Sequence, residues 1–97
     1  MFARVTKLQV NPAVQDDALK GYEEKVVPTV KSKKGFRGLY VLTNRKSGTW
    51  LTIGMWDSEA DALADEQGGH YKERVDMGKE IFTAPPVVEG YDVSILL

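Results

Sequence analysis

The sequence predicts an α+β fold of four strands and two helices in the order βαββαβ, and three observations carry that reading. A run with helical spacing, opened by Asn11-Pro12, follows an N-terminal stretch rich in β-formers. Two strand-like runs flank a polar turn that ends in Gly48. A second helical run, opened by Ser58, leads through Pro85-Pro86 into a last apolar stretch. At 97 residues the chain has room for one core, so residues 1–97 are read as a single domain.

The first strand is expected over residues 2–10, FARVTKLQV, where β-formers mostly alternate with polar residues. Asn11 suits a helix N-cap, and Pro12 suits the first turn, where its missing N–H leaves nothing unsatisfied. From Ala13 to about Lys33 the residues Val14, Ala18, Leu19, Tyr22, Val26 and Val30 recur at the spacing of one helical face. Pro28 lies inside that pattern and removes a backbone donor, so a kink is expected there, and Gly35 ends the helix.

Residues 36–43, FRGLYVLT, and 49–56, TWLTIGMW, read as a hairpin closed by Asn44-Arg45-Lys46-Ser47-Gly48. Ser58 with Asp61 three residues on is a variant of the capping box, and the helix it opens should reach about Phe82, with Gly68-Gly69 as its weak point. Residues 87–97, VVEGYDVSILL, form the expected last strand. The product is a four-stranded antiparallel sheet with two helices on one face.

Composition removes several functions. Thirteen basic against fourteen acidic residues give a formal net charge of −1, with no long-range field for a phosphate backbone or an anionic membrane. The basic run Lys31-Ser32-Lys33-Lys34 with Arg37 has no interleaved aromatic platform and reads as a solvated helix end, so no nucleic-acid partner is expected. There is no cysteine, which excludes disulfides, thiolate nucleophiles and sulfur-ligated metals. No stretch has the length and hydropathy of a membrane span or an export signal, so the expected location is cytoplasmic.

Strand alternation predicts a second copy. One face of residues 49–56 carries Trp50, Thr52, Gly54 and Trp56 and the other Leu51, Ile53 and Met55, while Tyr40 and Leu42 oppose Leu39 and Val41 on the preceding strand. Helices can cover one of these faces only, and a bare apolar face of that size is unusual on a soluble monomer. A homodimer with a two-fold axis, sheet against sheet, covers it.

These features together resemble the antibiotic biosynthesis monooxygenase family: Pro28 followed by Gly35-Phe36-Arg37-Gly38, the hairpin closing on Met55-Trp56, the Asp57-Ser58-Glu59 cap, and the His70-Tyr71 pair. The resemblance runs from Phe2 to about Leu97 and implies a ferredoxin-like dimeric α+β barrel. It implies that Trp56 lines a pocket between sheet and helices, and that His70 and Tyr71 match a His-aromatic pair on the second helix. Quinone-forming members carry an asparagine where Thr52 stands. Haem-degrading members carry an asparagine around Thr6 or Lys7 and an axial histidine around Asp65 or Glu66, and neither is present.

Continued from Ala60, the inward stripe of the second helix reads Ala60, Leu63, Ala64, Gln67, His70, Tyr71, Arg74 and Val75. It turns polar from Gln67 onward, and polar groups on a buried face need partners or a wet cavity. His70 is either a hydrogen-bonded histidine at a helix break or a general base with a pKa near 6.5. Without co-ligands at metal spacing it does not indicate a metal site, and no glycine pattern indicates a nucleotide cofactor. Trp50 and Trp56 read as core or interface aromatics before substrate platforms, and Tyr22, Tyr40 and Tyr91 as core.

The resemblance implies a cofactor-independent monooxygenase-type enzyme acting on a small aromatic or enolisable metabolite. In that reading His70 takes a proton, Tyr71 and Arg74 hold the oxyanion, and Trp56, Thr52 and Gln67 contact the substrate. The alternatives are a small-metabolite isomerase of the same fold and a non-catalytic ligand-binding module.

Overall fold

A computed structural model of the chain describes residues 1–68, 72–74, 76, 79 and 82–97. β1 (Phe2–Gln9) leads through a 3₁₀ turn (Pro12–Val14) into α1 (Gln15–Lys25) and α2 (Val27–Lys31). β2 (Phe36–Thr43) and β3 (Thr49–Trp56) form the hairpin, followed by α3 (Glu59–Gln67) and β4 (Val87–Asp92). The strands lie in the order β2-β3-β1-β4, and every neighbouring pair is antiparallel. This is the expected α+β, ferredoxin-like sheet.

Local signals act where they were placed. Asn11 Oδ1 accepts from the Ala13 N–H at 3.0 Å, and Ser58 Oγ accepts from the Asp61 N–H at 3.2 Å. Gly35 and Gly48 take φ of 78° and 76°, where a side chain would also collide with Asp61 or with the Val10 carbonyl. Pro28 does more than kink the first helix. The Val26 N–H still reaches the Tyr22 carbonyl at 2.8 Å, but Thr29 then turns back to Val26 at 3.0 Å, so one expected helix becomes α1 and α2.

Two expectations are corrected at the second helix. It does not run unbroken to Phe82: Gly68 leaves it with φ −81° and ψ 156°, and helical conformation reappears at 72–74. Glycine has the lowest helix propensity after proline, and here the helix yields rather than bends. Its buried face is also different. Ala62 and Asp65 are buried, while Leu63 is 44% exposed and Gln67 is exposed. The reason is polar: the Arg4 side chain from β1 bonds the Ala62 carbonyl at 3.0 Å and the Asp65 carboxylate at 2.8 Å, which turns that side of the helix inward. The last strand is shorter than expected and stops at Asp92.

On the sheet, Trp50, Thr52, Gly54 and Trp56 are buried toward the helices and the intervening residues of β3 are half-exposed. Two apolar clusters form on the covered face. One joins Leu8, Val10, Ala18 and Trp50; the other joins Val30, Trp56 and Ala62. The opposite face carries Leu51, Ile53 and Met55 with exposed Tyr40, Leu42, Val87 and Tyr91 in register beside them. No helix among the described residues is long and apolar enough to cross a membrane.

Candidate functional site

The site follows from side-chain size along β3. Trp50 and Trp56 lie about 20 Å apart along the strand at roughly 3.3 Å per residue, and each anchors one of the two clusters. Between them the same face offers only Thr52 and Gly54. Small residues between two large ones leave a trough, and it opens into a cavity of about 790 Å³, within the roughly 300–1,000 Å³ of small-molecule sites. Arg4, Thr6 and Leu8 of β1 continue its floor, and Ala18, Gly21, Tyr22 and Lys25 of α1 form a wall. Residues 82–86 form another side, held to the end of β1 by the Thr83 N–H bond to the Gln9 carbonyl at 2.8 Å.

Most of this lining is apolar, and a buried ion-pair network adjoins it through Arg4 and Arg74. Arg4 Nη2 donates to Asp65 Oδ2 at 2.8 Å, and its Nη1 donates to Glu66 at 3.2 Å. Arg74 Nη2 donates to both oxygens of Asp65, at 2.7 and 2.6 Å. The Asp65 side chain is fully buried, and Arg4 and Arg74 are about nine-tenths buried. Away from water one carboxylate thus stands between two guanidinium groups, an arrangement tolerable only because each charge is hydrogen-bonded. Arg4 also lies over the Trp56 ring, 5.4 Å from its centroid.

Two further groups face the same space. Burial pushes the Tyr22 phenol above its ordinary range; Arg74, the neighbouring Thr52 hydroxyl and Arg4 pull it down, and burial prevails. Trp50 spends its indole N–H on Gln15 at 3.3 Å, whereas Trp56 Nε1 is buried without a hydrogen-bond partner among the described residues. That N–H lies over Gly54, where an added Cβ would come within 3.2 Å of it. Among the described residues no three histidine, aspartate or glutamate side chains are placed to hold a metal ion.

Of the residues singled out in the sequence, Trp56, Thr52 and Arg74 line the cavity together. Gln67 does not: it lies on the exposed side of α3 because Ala62 and Asp65 take the inner one. His70 and Tyr71 lie outside the described residues. Sequence reasoning missed Arg4 and Asp65 and assigned Tyr22 to plain core. The signal for Arg4 was its phase, since it shares the inward parity of Leu8 on β1 and stands opposite Gly54. A cation on a buried strand face requires a carboxylate nearby.

A ferredoxin-like α+β domain with a largely apolar cavity that a few polar side chains reach is the class that fold and site define. Its family follows from the match of the antibiotic biosynthesis monooxygenase model to residues 1–76: the chain belongs to that family. Solved structures share the fold. A candidate antibiotic biosynthesis monooxygenase from Bordetella bronchiseptica aligns with a TM-score of 0.82 at 17% identity, over 97% of this chain and 97% of the other. A second candidate, from Nitrosomonas europaea, gives 0.81 at 14% identity over 98% and 100%. A protein of unknown function from Nitrosomonas europaea gives 0.79 at 19% identity over 99% and 91%. No curated protein matches the chain at a significant level.

Proposed function

We propose that this chain is a homodimeric, cofactor-independent monooxygenase-type enzyme acting on a small phenol or enol bound between sheet and helices. The observation that carries the reading is the cavity itself, whose apolar walls meet Arg74, Tyr22, Thr52 and the Trp56 indole N–H. Apolar walls take up an aromatic body, and hydrogen-bond donors favour its oxygen as that oxygen becomes anionic. Removal of a proton by His70 would convert the substrate to an electron-rich anion able to pass an electron to O₂ directly. In an anthrone the outcome balances simply: the methylene carbon gains one oxygen as a carbonyl, and the second oxygen leaves as water with the two methylene hydrogens. Arg74 and Tyr71 would hold the oxyanion, and Trp56 would supply stacking surface.

The dimer is supported by the uncovered sheet face, where Tyr40 and Leu42 on one edge strand and Val87 and Tyr91 on the other are exposed, with half-buried Leu51, Ile53 and Met55 on the same face. The decisive experiment is oxygen uptake with a panel of anthrones and hydroquinones, comparing the native chain with His70→Ala. Uptake by the native chain that falls at least 100-fold in the variant supports the assignment, a loss that general-base removal commonly produces. No uptake with any substrate removes oxygenation, and conversion without uptake moves the reading to isomerisation. Undiminished activity in His70→Ala removes the histidine.

A further inference from the structure

We propose that the Tyr22–Thr52 hydroxyl pair supplies the hydrogen bond that holds a ligand oxyanion in this cavity, so that the cavity selects a phenol or enol in its ionised form. The inference deepens the reading of this cavity as the substrate site and does not depend on oxygen chemistry.

Tyr22 reaches the cavity from α1, and its ring meets Trp50 edge to face, with centroids 6.3 Å apart at 86°. That contact fixes the ring and leaves its hydroxyl beside Thr52 on the trough floor. Two adjacent hydroxyls carry two protons and need only one between them. The other proton is available to a ligand oxygen. Arg74 and Arg4 act on the Tyr22 hydroxyl, and among the described residues the other charged groups lining the cavity are Lys25 from α1 and Asp76 and Lys79 from the residues after α3. Among the described residues, four cations and one carboxylate line the cavity of a chain whose formal net charge is −1, a local balance that favours an anion. Asp65 lies between Arg4 and Arg74, Glu66 lies beside Arg4, and Lys79 bonds Asp76 at 3.1 Å, which tempers that field and leaves a small positive excess among these described groups. Burial keeps the Tyr22 phenol protonated at neutral pH, so it meets the ligand as a donor rather than as a second anion.

The test uses 4-nitrophenol, whose visible band reports its ionisation, and 4-nitroanisole, its neutral ether. Both are titrated into the native protein, Tyr22→Phe and Thr52→Val, with far-ultraviolet circular dichroism to establish folding. The native protein should bind nitrophenolate more tightly than nitroanisole. Tyr22→Phe should lose about tenfold for nitrophenolate, the usual worth of one hydrogen bond to a charged group, with nitroanisole affinity retained. Thr52→Val should lose nitrophenolate affinity in the same selective way. Equal affinity of the native protein for both probes, or equal losses for both in the variants, would overturn the proposal. So would an unchanged nitrophenolate affinity in Tyr22→Phe; if that variant does not fold, the selectivity of Thr52→Val decides. Selective loss of nitrophenolate in a protein that consumes no oxygen would keep Tyr22 in its role and remove only the oxygenase reading.

Discussion

Arg4 and Asp65 meet at 2.8 Å across 61 positions of sequence, with the Asp65 side chain wholly removed from solvent. This pair joins the central strand β1 to α3, and Arg74 closes on the same carboxylate from the residues beyond Gly68. The first strand, α3 and the residues that follow it are thus tied at one buried point beside the cavity.

Removing that point should be costly. Asp65→Ala would leave two largely buried guanidinium groups without their shared carboxylate, and losing one partner of a buried ion pair costs about 3–5 kcal/mol. Urea denaturation should show a much lower midpoint with little change in slope. A loss below about 1 kcal/mol would mean that the pair contributes little to the fold.

Tyr22 should make stability fall at alkaline pH. Burial raises its phenol above the ordinary tyrosine range in the folded chain, so between the unfolded and folded values the folded state holds the proton that the unfolded state has lost. The contribution is complete below the unfolded value and disappears as pH rises through the folded one. Denaturation measured from neutral to strongly alkaline pH should show this decline, and Tyr22→Phe should flatten it. Equal slopes in the two proteins would refute the assignment.

Two glycines should respond in opposite directions to the same change. Gly48→Ala forces a side chain to positive φ and into the Val10 carbonyl, at a cost of about 2 kcal/mol or more. Gly21 sits inside α1 with nothing near its missing Cβ, so Gly21→Ala should stabilise by about 0.5–1 kcal/mol. Thermal melts of the two variants beside the native chain would report both signs.

The exposed sheet face predicts its own test. Tyr40→Glu combined with Leu42→Glu places two carboxylates on the β2 edge of the proposed dimer face and should give a folded monomer by size exclusion with light scattering. An unaltered mass in this double variant would locate any self-association elsewhere.

Punctuation residues made most of the fold readable. Asn11, Pro28, Gly35, Gly48 and Ser58 act through their own backbone, so their effects need no knowledge of what lies across the core. Of the site, Trp56 and Thr52 were readable from the family resemblance and Arg74 from helical spacing, and all three line the cavity. The stripe on α3 was misjudged because spacing ranks faces by hydropathy, whereas the buried Asp65 is stabilised by Arg4 from the far end of the sequence and by Arg74 nine residues on. Tyr22 shows the same limit. Helical spacing assigns it inward, but whether inward means core or cavity depends on Thr52 and Arg74 across the fold.

The Arg4–Asp65–Arg74 tie has one more consequence. Counter-ions screen charges they can approach, within about 8–10 Å at ordinary ionic strength, but they do not enter a contact from which water is already excluded. The surface pairs Arg45–Asp16 and Lys79–Asp76 fade as salt is added, while the link between α3 and the sheet does not. This small protein therefore joins its parts ionically and still behaves, toward added electrolyte, like one held together by oil.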